Sequence, residues 1–139
     1  MANLTIPAGA VTVRAGDPVL EAVCNAAITH GQVVYHDLAN GGKMALADAD
    51  VQASSYVKGI ALGDYGAGAR GLFALAGSRI TFASAVTGAA AGVVYYLSLT
   101  AGALAPFADI AAGDYVCVVV LARSTTVFDV LCINGDFTL

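Results

Sequence analysis

The chain has 139 residues, of which 58% are hydrophobic and 12% are charged, and its formal net charge is −4 at pH 7. This length suits a single domain that buries a core of its own, and the small negative charge offers no basic footprint for nucleic acid. A monomer with so few charged residues would expose apolar patches and tend to associate, so we expect partners to cover part of the surface.

The chain begins with a segment that contains Pro7 and two glycines and that alternates Leu4 and Ile6 with Thr5. The residue before a proline is held in the extended region, and no helix signal precedes Asp17. Residues 1–16 are therefore predicted to form either an extended N-terminal arm or the first strand of the domain. In an arm, main-chain hydrogen bonds would add the strand to a neighbouring sheet, and Leu4 and Ile6 would fill apolar niches. Residues 17–139 are predicted to form a single β domain.

Two structures are compatible with the segment that follows, residues 17–28. Asp17 could cap a helix whose first position is Pro18, and Leu20, Val23, Cys24 and Ala27 have helical spacing. The β-branched residues of the same segment fit a strand equally well. The sequence leaves both interpretations open.

The middle of the chain contains a repeat. The stretch VVYHDLANGGKMALADAD begins at Val33, and VVYYLSLTAGALAPFAD begins at Val93. Each is predicted to be a strand, a glycine turn, a second strand and an acidic turn, followed by a third apolar strand. Asn40-Gly41 in the first copy is a strong hairpin signal, because both residues tolerate positive φ.

Such a repeat predicts how the chain folds. A hairpin plus one further strand cannot bury its apolar face alone, whereas two such units packed together can. Short apolar runs punctuated by Gly, Asn, Asp and Pro are typical of a sandwich or barrel. The predicted fold is all-β, a single-domain β-sandwich or small β-barrel with a pseudo-duplicated hairpin-plus-strand unit and an extended N-terminal segment.

No membrane span or secretory signal is predicted. The longest uncharged segment, Ile80 to Ala108, is interrupted by Gly, Ser, Thr and Pro at strand-length intervals, and no basic cluster flanks it. A spanning helix needs about 20 mostly apolar residues in a row. The N-terminus has neither the basic region nor the long apolar region of a secretory signal.

The residues that often carry chemistry do not converge in the sequence. Gly66, Gly68 and Gly71 match a dinucleotide-binding pattern but are not followed by a predicted helix. His30 and His36 lack further ligands, and the acids of the ADAD turn resemble turn caps. The three cysteines fit no zinc-ligand spacing and are predicted to be buried, reduced thiols. We expect no enzyme activity, no cofactor and no metal site.

Three segments carry a resemblance to a known family: GQVVYHDLANGGKMALADAD, VKGIALGDYGAGARGLFALAGSRITF and GVVYYLSLTAGALAPFADIAAGDYVCVVV. They resemble small Ala/Gly-rich β-structured virion proteins of tailed bacteriophages. The resemblance covers about Gly31 to Val120, and its motifs are structural. It implies a capsid decoration (cement) protein that binds the outer face of the major capsid shell, usually as a dimer or trimer, and stabilises that shell. The alternative is a head- or tail-fibre component that binds a host receptor or a carbohydrate.

In this interpretation the protein is made in the host cytoplasm and resides on the outer capsid surface. Its partners are the major capsid protein and other copies of itself, and it binds neither nucleic acid nor a membrane. Tyr95 and Tyr96 lie on opposite faces of one predicted strand, so at most one of them belongs to the core and the other is free for an interface. The five interface candidates are Leu4, Ile6, Tyr95, Tyr96 and Phe107.

Overall fold

The computed structural model describes residues 3–139, so Met1 and Ala2 of the predicted arm lie outside the described residues. The described chain forms two antiparallel sheets. Sheet I has the strand order β2-β6-β5-β3-β4, with β2 (Val19–Val23), β3 (Val33–Asp37), β4 (Lys43–Leu46), β5 (Val57–Ala61) and β6 (Arg70–Ala74). Sheet II has the order β1-β7-β11-β10-β8-β9, with β1 (Val11–Val13), β7 (Arg79–Phe82), β8 (Val94–Leu97), β9 (Leu104–Ala105), β10 (Tyr115–Ala122) and β11 (Val127–Thr138).

The predicted all-β fold is confirmed. Short 3₁₀ helices at Leu38–Asn40, Ala53–Ser55 and Phe107–Asp109 are the helical elements of the described chain. The two sheets pack face to face and neither closes into a barrel, so the architecture is a β-sandwich.

The internal duplication is also present, and it extends beyond the predicted hairpin and third strand. The order β2-β6-β5-β3-β4 in sheet I matches the order β7-β11-β10-β8-β9 in sheet II, with β1 as an additional edge strand. Corresponding strands begin 57 to 61 residues apart, at positions 19 and 79, 33 and 94, 43 and 104, 57 and 115, and 70 and 127. Apart from β1, which comes from the first half and joins the edge of sheet II, each sheet is therefore built by one half of the chain.

The hairpin of the first copy turns in the region of the predicted Asn40-Gly41 pair, but the two left-handed residues are Gly41 and Gly42, and Asn40 ends a 3₁₀ helix. The turn between β3 and β4 contains the 3₁₀ helix Leu38–Asn40, and then Gly41 and Gly42 adopt φ values of +74° and +76°. These left-handed conformations are readily available to glycine and disfavoured for residues with a Cβ atom. They reverse the chain so that Asp37 lies opposite Lys43 in the ladder.

The helix considered for residues 17–28 does not form, because the start of this segment is strand β2. Val19 to Val23 pair in register with Ala74 to Arg70 of β6. Leu20 and Ala22 lie on the same face of the strand and pack on an apolar cluster, which is strand periodicity. The carboxylate of Asp17, the proposed helix cap, instead accepts hydrogen bonds from Arg14 and from the backbone N–H of Arg79.

The main core lies between the two sheets. Sheet I contributes residues such as Val33 and Ile60, and sheet II contributes residues such as Leu97 and Val119, all of them fully buried. The Phe82 and Phe128 rings of sheet II pack edge to face in this core, with centroids 5.4 Å apart. Burial of these side chains holds the halves together.

A second cluster covers the opposite, outer face of sheet I. Val34 alternates with Val33 along β3, so its side chain leaves the main core and packs with Met44 and Phe73. Two loops cover this cluster: Ile28 and Tyr65 pair through backbone hydrogen bonds of 2.9 and 2.7 Å. The first half of the chain therefore buries both faces of its own sheet.

We predict that Phe128→Ala lowers the free energy of unfolding by about 3–5 kcal/mol, because it leaves a cavity in the main core. Phe137→Ala is the matched control, since Phe137 lies on the same strand and is 54% exposed. Its cost should stay below about 1 kcal/mol. Urea denaturation measures both, and equal losses would contradict the assignment of the core.

Candidate functional site

The described residues hold no group of three or more His, Cys, Asp or Glu side chains that could bind a metal ion. The three thiols are unpaired, and burial raises the pKa of each, in the case of Cys132 to about 12. A thiolate nucleophile is therefore disfavoured at neutral pH. Within residues 3–139, no helix is long and apolar enough to cross a membrane.

The glycine-rich motif serves packing in this structure. Gly71 lies in β6, a strand, where nucleotide binding would need a helix. A Cβ atom at Gly71 would lie 2.4 Å from the Tyr65 ring. Glycine at this position therefore lets Tyr65 lie against β6 as part of the cover of sheet I.

The outer face of sheet II is apolar and is not covered by other described segments as the outer face of sheet I is. Tyr95 and Leu97 point into the main core, so Val94 and Tyr96 alternate onto the outer face. The ladder continues this face across the sheet, with Ala105 opposite Tyr96, Tyr96 opposite Val118, and Val118 opposite Ile133. What we call the sheet II outer face consists of Val94, Tyr96, Val118, Leu121, Leu131 and Ile133, together with Phe107 beside Tyr96.

Two members of the sheet II outer face are largely open to solvent. Phe107 is 52% exposed and Ile133 is 57% exposed. The Tyr96 and Phe107 rings contact each other with centroids 5.3 Å apart. At one end of this face, Asp129 pairs with Arg79 at 2.7 Å and with Arg123.

The structure separates the five predicted interface residues. Tyr96 and Phe107 come together on the sheet II outer face. Tyr95 is only 2% exposed, and its hydroxyl accepts a hydrogen bond from the Ala90 N–H and donates one to the Gly88 carbonyl. Leu4 is also a core residue, and Ile6 is half-buried against the core. Tyr95 and Leu4 therefore have almost no side-chain surface for a partner, because the fold uses it internally.

The N-terminal segment lies along the domain. The Leu4 N–H donates to the Leu104 carbonyl at 2.9 Å, Thr5 forms a bridge with Thr87, and β1 pairs with β7. The described part of this segment therefore forms backbone contacts with its own domain.

Deletion of residues 1–8 should reduce the free energy of unfolding by at least about 2 kcal/mol, since it removes the buried Leu4 side chain and the half-buried Ile6. Leu4→Ala should reproduce much of this loss without changing the chain length. Urea denaturation is the measurement. A truncated protein with an unchanged urea midpoint would show that the segment is a loose arm.

His30 connects the N-terminal segment to the rest of the domain. Its Nδ1 lies 2.8 Å from Asp64 Oδ1, and its Nε2 lies 2.7 Å from the carbonyl oxygen of Pro7. Both partners are acceptors, and only the protonated imidazole can donate from both nitrogens. The Pro7 carbonyl and the Asp64 carboxylate accordingly raise the pKa of His30, against the opposing effect of burial.

The two histidines should titrate on opposite sides of the ordinary histidine pKa of about 6.5. Burial, and then the nearby Lys58 charge, lower the pKa of His36, which makes His36 an internal reference for His30. Because the folded-state pKa of His30 is raised, its contribution to stability is present below about pH 6.5 and is lost as the pH rises through that raised pKa. Imidazole NMR signals followed against pH measure both values.

The Asp64→Asn variant should move the pKa of His30 downward and leave that of His36 unchanged. If His30 titrates at or below the pKa of His36, the two-acceptor arrangement is wrong.

A cavity with a volume of about 590 Å³ lies between the sheets. It opens where β3 ends and β5 begins, and Asn134 of β11 contributes from sheet II. Sequence reasoning missed this site. The polar and aromatic lining residues are Tyr35, His36, Asp37, Tyr56, Lys58 and Asn134. The one available signal was Lys58, an isolated charge within the apolar run YVKGIAL.

Comparison of the chain with protein-family models, with curated proteins and with solved structures found no match.

Proposed function

We propose that this protein is a structural virion protein of a tailed bacteriophage, a capsid decoration protein that binds the outer face of the major capsid shell as a dimer or trimer. The observation that carries the proposal is the apolar sheet II outer face. The residues Ile80 to Ala108, which contain no charged side chain, supply Val94, Tyr96 and Phe107 to it. The resemblance of the repeat segments to phage virion proteins supplies the identity of the partner.

The chemistry of this face suits a permanent contact. Removing a half-exposed aliphatic or aromatic side chain from water yields on the order of 1 kcal/mol, and Phe107 and Ile133 are both of this kind. Aromatic residues at the centre with charges at the rim are characteristic of protein interfaces. The Asp129 cluster, with Arg79 and Arg123, supplies that rim.

The proposal is compatible with the scaffold and the thiols of the chain. An attached structural protein needs a stable scaffold and no catalytic group, and unpaired thiols are compatible with synthesis in a reducing host cytoplasm. Decoration would place the protein on the outer surface of the virion.

A fibre component that binds a host receptor is the second candidate function. The cavity between the sheets favours it, because Tyr35 and Tyr56 both line that cavity. A receptor-binding protein needs a concave site of this kind.

Capsid binding is tested by co-sedimentation of the purified protein with empty, expanded capsids and, separately, with unassembled capsid subunits. Decoration predicts binding to the expanded capsids only. Phe107→Asp should weaken binding at least about tenfold, because it places a charge in an apolar contact. Size-exclusion chromatography of the same samples reports the oligomeric state.

Val51→Asp is the matched control, because Val51 is 53% exposed, close to the value for Phe107, and lies in a loop of the first half. It should bind capsids as the unsubstituted protein does. Capsid binding that survives both Phe107→Asp and Tyr96→Asp would remove the sheet II outer face as the contact.

A further inference from the structure

We propose that the cavity between the sheets is a binding site for a small hydroxylated carboxylate of monosaccharide size, such as a uronic acid. The volume of about 590 Å³ lies within the usual range for ligand sites, about 300–1,000 Å³. The inference does not depend on capsid decoration, because the first half of the chain supplies all of the lining except Asn134, and the sheet II outer face is a separate surface.

The cavity contains a cation without a counter-ion. Arg14, Arg70, Arg79 and Arg123 all pair with carboxylates. Lys58 forms no ion pair or hydrogen bond with any residue in the described range 3–139. Lys58 is an exposed residue of β5 that lines the cavity, so water partly screens its ammonium group and the neighbouring polar groups must also hold the ligand.

Other polar groups of the cavity also have unused hydrogen-bonding capacity. The Tyr35 hydroxyl has no hydrogen-bond partner among the described residues. Asn134 Oδ1 accepts the Val57 N–H at 2.9 Å, which leaves the Asn134 Nδ2 group to donate. Asp37 Oδ2 accepts from Asn40 at 2.6 Å, and the other carboxylate oxygen of Asp37 remains an acceptor.

These groups together define the class of ligand. The Lys58 ammonium group can bind an anionic group of the ligand, and the Tyr35 hydroxyl and the Asn134 amide can donate hydrogen bonds to further ligand acceptors. Asp37 would repel a simple anion, but its free oxygen can accept hydrogen bonds from ligand hydroxyls. A compound with a carboxylate and several hydroxyls satisfies both requirements, whereas a plain carboxylate satisfies only the first.

The aromatic lining supplies the apolar part of the contact. Tyr56 is held in place because its hydroxyl donates to Asp136 at 2.7 Å and accepts from Gln52 at 3.1 Å. Tyr35 packs partly against the main core. Fixed aromatic side chains can contact the C–H face of a sugar ring with little loss of conformational entropy on binding.

The protonation states of the lining residues fit this role at neutral pH. Burial, together with the nearby Asp37 and Asp48, raises the pKa of Tyr35, so its hydroxyl remains a donor. Burial and then Lys58 lower the pKa of His36, so the ring is neutral and can both donate and accept. Of the charged groups named in this region, Lys58 is the cation, and Asp37, Asp48 and Asp136 are the anions.

The test is a titration of ¹⁵N-labelled full-length protein with sodium glucuronate and, separately, galacturonate, followed by NMR. We expect the Asn134 side-chain amide and the backbone signals of the cavity to shift and to saturate in roughly the millimolar range. Lys58→Met should weaken binding about tenfold, because a charge-assisted hydrogen bond is lost. Tyr35→Phe should weaken it by a smaller factor, and it tests the site separately if Lys58→Met fails to fold.

Lys43→Met is the matched control, since Lys43 also forms no ion pair within the described chain, is exposed, and does not line the cavity. It should bind as the unsubstituted protein does. Three comparison ligands are used. Glucose lacks the carboxylate, and acetate lacks the hydroxyls. Alanine also lacks the hydroxyls and carries an ammonium group in addition to its carboxylate. Equal binding of any of these overturns the ligand class.

Absence of cavity shifts with both uronates, or unchanged binding by Lys58→Met and Tyr35→Phe, overturns the site. Capsid co-sedimentation is measured independently, so failure of this inference and failure of decoration are distinguishable.

Discussion

Apolar contact between the inner faces of the two sheets holds the molecule together, and each strand can offer only one of its faces to it. Val33 and Ile60 of sheet I meet Leu97 and Val119 of sheet II in this contact. Because side chains alternate along a strand, each inward residue implies an outward neighbour. The packing of the two halves therefore buries two faces and leaves two outer faces that need cover or a partner. Which part of the surface is available to a partner depends on whether the loops of each half cover its outer face.

The two halves differ in their loops. In the first half, the loop after β2 carries Ile28 across the outer face, where it pairs with Tyr65 from the loop after β5. In the second half, the loop after β7 turns inward, because Val86 is buried in the main core and Thr87 pairs with Thr5 of the N-terminal segment. The connection from β10 to β11 contains only residues 123–126. No equivalent cover for sheet II is present among these connections, which is why Phe107 and its neighbours stay exposed.

The parts of this structure that were predictable from the sequence depend on local signals. The Asn40-Gly41 turn and the 60-residue repeat are such signals, and the alternation of Tyr95 and Tyr96 predicted that at most one of them is a core residue.

The Asp17-Pro18 helix signal was wrong because pairing of Val19–Val23 with β6 outweighed it. The cavity was not predictable, because its lining residues Lys58 and Asn134 are 76 positions apart in the chain (134 − 58) and the pairing around Lys58 is irregular. Val34 pairs with Gly59 but Tyr35 with Val57, so Lys58 is skipped by the ladder.

The cavity wall from sheet II also requires an irregular strand. In β11, Cys132 and Asp136 have positive φ values of 49° and 57°, a conformation that costs a non-glycine residue roughly 1 kcal/mol or more. Between them, Asn134 bonds to the Val57 N–H, and Asp136 holds Tyr56. If β11 paired regularly with β10, its side chains would alternate strictly between the two faces of sheet II. Neither Cys132 nor Asp136 would then need a left-handed conformation. Contacts to sheet I therefore offset the backbone cost, and the same contacts fix two lining residues of the cavity, Tyr56 and Asn134. The distortion is located beside the cavity that Tyr56 and Asn134 line, which ties the irregular part of the fold to the site and not to the sandwich core.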